Sequence, residues 1–395
     1  MRILVAPDSF GGTLSARAAA QEMAHGWAAG APHDEVRTLP LADGGPGFLE
    51  VVHAARGGDL VPVMVTGPLG EPAPAAVLLV HGDRTTTAYV ESAHAVGLHL
   101  LEATLRDPTQ TTSVGVGELV RAAVGAGAQR VVVGIGGTAT NDGGAGMLAG
   151  LGLASPTLRR GGGALAGLEP ADLDGLVDLV RELAGIDLVV AADVDVPLLG
   201  LHGASAGFAE QKGASPQQAQ DLERALGQLA HLVGESRRAL PAPDQTSARR
   251  DLLRGPVQPQ ALAQVAGAGS GGGLGFGLLA LGARVLPGAD VVADAVDLDA
   301  AVAEADLVVT GEGTLDWQSL HGKVVAAVAR VGLRHGVPVV AVAGQVHLGR
   351  REWSAAGLAG TYAVAETPDR VAEALADPHG TLRARTERVA RTWSR

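Results

Sequence analysis

Short apolar, β-branched runs alternate along this chain with Gly- or Asp-rich turns and Ala/Leu-rich stretches of helical length. Residues 3–6 lead through a turn at 7–13 into a predicted helix from about Ser15 to residue 29, with Ser15 as its N-cap. The same succession appears where residues 130–133 run into 134–144, where 307–310 run into 311–323, and where 337–343 end at Gly344. Repeated strand–turn–helix units predict a mostly parallel sheet covered by helices, with functional groups at the carboxyl ends of its strands. Between residues 61 and 91 the pattern changes. Residues 61–66, 76–80 and 85–91 are closely spaced strands, with a Gly-Pro-Leu-Gly turn at 67–70, and predict an antiparallel or mixed sheet in a second domain. The polar, Pro-bearing stretch 234–246 reads as an exposed helix end and loop.

Composition sharpens this picture. With aromatics at only 3% and Gly at 57 of 395 residues, the core must be built from Val, Leu and Ala, with many close backbone approaches. The length suits two domains, with three as the alternative, and the composition fits the α/β class. The absence of cysteine excludes disulfides, thiolate metal sites and a Cys nucleophile. The first apolar run is too short for a signal-peptide core, and no apolar stretch reads as membrane-spanning, so a cytoplasmic protein is expected. A net charge of −12 argues against a general nucleic-acid binder.

Four constellations carry candidate chemistry. The turn at 134–144 contains Gly136, Gly137, Thr138, Asn141 and Asp142 and offers backbone N–H groups to an anion. Gly134, Gly136 and Ala139 also satisfy a dinucleotide fingerprint, but the acidic residue expected about 20 positions on is missing, which weakens a nicotinamide reading. The plainer alternative is a tight turn that packs strand against helix. The Gly tract at 267–275, with Ser270 and Gly271, is either a second anion nest or a place where only Gly fits, ahead of an apolar helix predicted at 276–283. Residues 310–323 bring Glu312, Asp316 and Lys323 together beyond a buried strand; Asp316 as a helix cap and Lys323 as a solvated lysine is the rival reading. Asp8 with Ser9, Asp43, and Asp193 with Asp195 each follow an apolar run, and Lys212 stands in a Gln-Lys-Gly-Ala stretch that offers a phosphate-facing lysine, although an exposed helix end is the plainer reading. Phosphoryl transfer needs this inventory: a carboxylate to receive a proton, oxygen ligands for Mg²⁺, and N–H or cationic donors for phosphate. No Gly-x-Ser-x-Gly elbow is present and the histidines are scattered, so hydrolase and zinc readings have little support.

Taken in order, these stretches resemble the bacterial glycerate kinase family that phosphorylates D-glycerate. The resemblance rests on Ala6-Pro-Asp-Ser-Phe10 with Leu14-Ser-Ala16, Ala42-Asp-Gly-Gly45, residues 134–147, Asp193-Val-Asp195 with Pro197-Leu-Leu-Gly200, Gln211-Lys-Gly-Ala214, and residues 267–279 and 311–323. It implies a Rossmann-like parallel-sheet domain from residues 1–60 and 288–395, an inserted α/β domain at 61–287, and a cleft between them. The implied reaction uses ATP and Mg²⁺ to convert D-glycerate to a phosphoglycerate, commonly the 2-phosphate. Asp43, Asp193, Asp195 and Lys212 are the expected catalytic residues, with Asp193 and Asp195 as Mg²⁺ ligands. Asp8, Ser9, Gly136, Gly137, Thr138, Asn141, Asp142, Ser270, Gly271, Glu312, Asp316 and Lys323 are the expected substrate and phosphate contacts. The partner is a small molecule rather than nucleic acid or membrane, and a homodimer stays an open alternative to a monomer. The chain departs from the family pattern at Gly11, where a Lys is usual, at Pro46 and Phe48, where Glu and Thr are usual, and at Thr314, where Arg is usual. These departures leave open a kinase for another short hydroxy acid or polyol, or an impaired homologue that only binds nucleotide or metabolite.

Overall fold

The computed structural model describes residues 1–238, 259–320 and 322–394. The part of the predicted loop at 239–246 lies outside them, while residues 234–237 close the helix Pro216–Arg237. The strands in the first half are β1 (Arg2–Val5), β2 (Glu35–Thr38), β3 (Asp59–Thr66), β4 (Pro72–His81), β5 (Thr86–Glu91), β6 (Arg130–Gly134) and β7 (Asp187–Ala192). They continue with β8 (Arg284–Pro287), β9 (Leu307–Thr310), β10 (Thr314–Leu315), β11 (Val339–Ala343), β12 (Gln345–Val346) and β13 (Gly360–Ala363). The fold is two-domain α/β. Its two compact units are Met1–Gly57 with Pro287–Arg395, and Gly58–Leu286.

In the first unit the sheet order is β13-β11-β9-β1-β2 and all its pairings are parallel. The chain winds from β1 outward to β2 on one side, and from β9 through β11 to β13 on the other. The winding direction therefore reverses between β1 and β9, and the loops leaving these two strands part from each other there, as at the ligand crevice of open α/β sheets. The Asp8 N–H donates to the Gly311 carbonyl at 2.8 Å, so pairing continues past the strand ends and sets Asp8 beside the loop that carries Glu312. The first helix, Ala16–Gly30, begins at Ser15, whose Oγ accepts from the Ala18 N–H at 3.2 Å. It packs on the helix Pro378–Trp393, and the high glycine content matters here. A Cβ at Gly26 or Gly30 would collide with the carbonyl oxygens of Arg383 and Glu387, so these two glycines set the separation of the helices.

In the second unit the sheet order is β3-β4-β5-β6-β7-β8. β3, β4 and β5 pair antiparallel, and β5, β6 and β7 pair parallel, so of the antiparallel and mixed sheets that the spacing of residues 61–91 allowed, the sheet is the mixed one. β4 starts at Pro72 rather than residue 76. Its segment 72–76 pairs only with β3, and Pro72 and Pro74 lie there, where the missing N–H breaks no ladder toward β5.

The Gly tract departs from the predicted helix at 276–283. The helical segment is Ser270–Ala280, but Gly271, Gly272 and Gly273 have φ of 63°, 69° and 88°, so a left-handed turn feeds a buried helical run. Gly282, at φ 95°, ends it early: its N–H donates to the Leu279 carbonyl and the Ala283 N–H to Leu278, both at 3.0 Å.

Candidate active site

At the switch point of the first unit, four carboxylates and one lysine share a small region. Asp8 follows β1, Asp43 follows β2, and Glu312 and Asp316 follow β9; Lys323 is the N-cap residue of the helix Val324–His335. Asp8 accepts the Ser9 N–H at 2.6 Å, and Asp43 accepts the Gly45 N–H at 3.1 Å. Asp316 accepts the Gln318 and Ser319 N–H groups at 2.8 and 3.3 Å, so it caps the turn Gln318–Leu320, as the plainer reading of that motif has it. Asp8 has its pKa pushed well above the ordinary carboxylate range by burial, then by the charges of Asp43 and Glu312, against the opposing Ser9 N–H and Lys323. Glu312 is 8% exposed, and its pKa is pushed up to about 7. Burial is the main cause, with Asp316 and Asp43 adding to it while Ser319 and Lys323 oppose it. Its Oε1 is buried and has no hydrogen-bond partner.

The second unit holds a different set. The turn after β6 places Gly136 half-buried and Gly137 exposed with φ 70°, and among the described residues neither N–H is donated to a protein acceptor. Lys212 is not an exposed helix end. It is 3% exposed, and its Nζ donates to the Thr140 carbonyl at 2.7 Å and to Thr138 Oγ1 at 3.4 Å, which ties it to the underside of that turn. Burial lowers its pKa to about 7, although the Asp142 charge pulls the other way.

Asp142 is fully buried. It accepts from the Ser113 N–H and Oγ–H at 2.8 Å each, the Gly144 N–H at 3.1 Å and the Gly146 N–H at 3.2 Å. Burial nonetheless raises its pKa, because four donors do not replace bulk water around a fully enclosed carboxylate. Asn141 is also fully buried, donating to Ser205 Oγ at 2.9 Å. Ser270, 2% exposed, donates to the Val194 carbonyl at 2.9 Å, and so ties the Gly tract to the loop after β7. Asp193 and Asp195 stand on that loop, half-buried and exposed respectively.

Two residues absent from the sequence-based set belong to these surroundings. Ser113 supplies two of the four Asp142 donors, and nothing in its local sequence announces that. Glu91 ends β5 opposite Gly134 and is 2% exposed, with His94 Nε2 at 3.6 Å. The rule that singled out Asp43, an acid directly after an apolar run, would have found it. Among the described residues no group of three or more His, Cys, Asp or Glu is arranged to hold a metal by itself.

The buried Lys212 gives a measurable signature. Its folded pKa lies below the ordinary 10.5, so protonation favours the unfolded chain. Its stability contribution is present above 10.5, is lost as pH falls toward 7, and changes little below that. Thermal unfolding of the wild type should therefore show a stability slope approaching ~1.4 kcal/mol per pH unit from this group between those limits. In Lys212→Met the component should vanish; an unchanged slope would mean Lys212 is solvated.

These features describe an α/β enzyme with carboxylates at the switch point of one sheet and, on the other, a Gly turn with two N–H groups undonated among the described residues and backed by a buried lysine. The profile of the glycerate kinase family matches residues 3–394, and the chain belongs to that family, making it a transferase of the kinase class. It is 41% identical to a glycerate kinase of Bacillus subtilis (strain 168), over 88% of this chain and 85% of that one. It is 38% identical to the glycerate 2-kinase of Escherichia coli (strain K12), over 88% and 86%. The crystal structure of a Salmonella typhimurium LT2 protein assigned as glycerate kinase 2 superposes with a TM-score of 0.73 at 38% identity, covering 99% of this chain and 98% of that one. Among the described residues no helix is long and apolar enough to cross a membrane.

Proposed function

We propose that this enzyme transfers the γ-phosphate of ATP to a hydroxyl of D-glycerate, giving 2-phosphoglycerate, and that its two compact units are its two domains. The observation that carries this reading is Glu312: a buried carboxyl, held near pH 7, with one oxygen unpartnered, at the switch point of a parallel sheet. A proton acceptor works best when its pKa lies near the operating pH. Glu312 Oε1 receives the acceptor hydroxyl's proton, and Ser319 and Lys323 temper the charge that results.

The neighbouring oxygens fit a hard divalent cation. Asp8 and Asp43 repel each other and lie in a purely carboxylate donor set, and Mg²⁺ characteristically takes one or two carboxylates with phosphate oxygens. Asp8 and Asp43 would hold it, and when bound it supplies neutralisation of phosphate charge. Of Asp193 and Asp195, the pair expected for this role, Asp193 is half-buried as Asp8 and Asp43 are, but Asp195 is exposed, so the Asp8–Asp43 pair is the better candidate. On the second unit, the Gly136 and Gly137 N–H groups bind anionic oxygens, and Lys212 positions them through Thr140 and Thr138. Lys212→Met should lower kcat/KM by roughly 10–100-fold, the equivalent of one lost charge-assisted contact. An ATP-dependent reaction on a small organic acid is consistent with a cytoplasmic setting.

The test is acceptor-dependent ADP release, with D-glycerate compared against L-glycerate, other short hydroxy acids and polyols. Phosphorus NMR of the product identifies the phosphorylated hydroxyl. Turnover should be greatest with D-glycerate and fall to background when EDTA removes Mg²⁺. Greater turnover with another acceptor would assign the departures at Gly11, Pro46, Phe48 and Thr314 to a changed substrate. ATP binding without turnover on any acceptor would make the protein a non-catalytic homologue.

A further inference from the structure

A cavity in the first unit lies apart from the carboxylates, at the same carboxyl edge of its sheet. Its walls come from the loops that follow β1, β9, β11 and β13, and from the helix Val371–Ala376 with the start of the helix Pro378–Trp393. It holds about 140 Å³ and is open on one side, less than the roughly 300–1,000 Å³ of a site that encloses a whole ligand, so only one part of a larger molecule would sit in it. We propose that this cavity binds the nucleoside moiety of ATP, an assignment that rests on the ATP-dependent reading above.

The chemistry of the walls selects such a group. No charged side chain lines the cavity, so neither a phosphate nor the carboxylate of the acceptor would find a counter-charge in it. Most of the lining is aliphatic, from Leu14, Ala374, Leu375 and their neighbours, and Leu375 stays 60% exposed. Four polar side chains interrupt this surface, and the Thr13 and Thr381 hydroxyls already donate to the Phe10 and Asp377 carbonyls. The Thr314 hydroxyl and the Gln345 amide make no side-chain hydrogen bond among the described residues. The Gln345 amide carries both donors and an acceptor, the complement that the edge of a purine or pyrimidine presents. A flat, neutral, largely apolar ring with a hydrogen-bonding edge fits these walls, whereas a small hydroxy acid does not.

Position supports the same occupant. Gly313, in the lining, directly follows Glu312, and Gly11 stands three residues after Asp8. Glycines keep this part of the wall thin: a Cβ at Gly313 would lie 3.1 Å from the Gly11 nitrogen, and one at Gly344 would collide with the Gly313 carbonyl oxygen. A nucleotide lying along the carboxyl edge would therefore have its base on the β11–β13 side, and its phosphates would run toward Asp8 and Asp43 on the β1–β2 side. That is the orientation in which the cation proposed above meets phosphate oxygens.

The experiment separates base from phosphate by using adenosine and inorganic tripolyphosphate as two probes. Binding of each is measured by ligand-observed NMR or calorimetry to the full-length wild type, Ala374→Phe and Gln345→Leu, with circular dichroism to confirm folding. Ala374→Phe fills the cavity from a half-buried position, and Gln345→Leu removes the amide at nearly constant volume. Wild type should bind adenosine, and Ala374→Phe should weaken that binding by roughly 10–200-fold, the range for a changed fit in an apolar pocket. Gln345→Leu should also weaken it, while tripolyphosphate binding and KM for D-glycerate stay as in wild type. Adenosine that fails to bind wild type, or binds both folded variants as tightly as wild type, overturns the assignment. If adenosine binding follows this pattern but no acceptor supports ADP release, the kinase reading fails and the nucleoside site stands. Robust D-glycerate-dependent ADP release with adenosine indifferent to both variants sinks the site alone.

Discussion

Replacing Glu312 with glutamine lowers kcat/KM for D-glycerate by about 10²–10⁴-fold, the usual contribution of a positioned general base. Glutamine keeps the shape and a carbonyl oxygen but cannot take up a proton. The wild-type pH profile should carry the same group: kcat/KM falls as pH drops below about 7, where Glu312 becomes protonated, and levels off above it. Stability runs the opposite way. Its folded pKa lies above the ordinary 4.5, so the contribution of Glu312 to stability is fully present below 4.5 and is lost as pH rises through about 7. Glu312→Gln should remove both the acid limb of the rate profile and this stability slope, with no loss of thermal stability at pH 8. A variant that keeps its turnover would shift the proton-accepting role to Asp8, the other carboxyl at this switch point whose pKa is raised.

Gly272→Ala should destabilise the second unit by roughly 2–5 kcal/mol, summing the cost of a left-handed conformation and of overpacking. Gly272 has φ 69°, and a Cβ there would run into the Thr140 carbonyl oxygen, which also accepts from Lys212. Both backbones of this contact are fixed by other bonds: Gly143 N–H donates to Gly272 O at 3.0 Å, and Ser270 is tied to Val194. Relief by a local shift is therefore blocked. Chemical denaturation monitoring the second unit checks this; a loss under 1 kcal/mol would mean that the two glycine segments do not meet in solution. Gly207→Ala is a suitable control, since a Cβ there meets nothing within 4 Å.

Much of this protein was determined by local pattern. Short β-branched apolar runs closed by Gly- or Asp-rich turns favour strands covered on both sides, so β1, β6, β9 and β11 follow from their own residues, as does the Ser15 cap. The change of spacing between residues 61 and 91 likewise announced antiparallel pairing within a second sheet. Candidate chemistry was legible for the same reason: residues that follow a buried strand must emerge at its carboxyl end, where Asp8 and Glu312 are found.

Tertiary structure alone decided what those residues became. Strand order is set by contacts between distant segments, so the reversal of winding between β1 and β9, and hence the meeting of Asp8 with Glu312, is invisible in either stretch alone. Protonation depends on enclosure and on neighbouring charge, which no short window contains. Lys212 reads as an exposed helix end until the turn at Thr138 and Thr140 closes over it, and the enclosure of Asp142 shows only once Ser113 reaches it from 29 residues away. The apolar cavity beside Gln345 has no motif at all, because its walls come from four loops and two helices that only the folded sheet gathers at one edge.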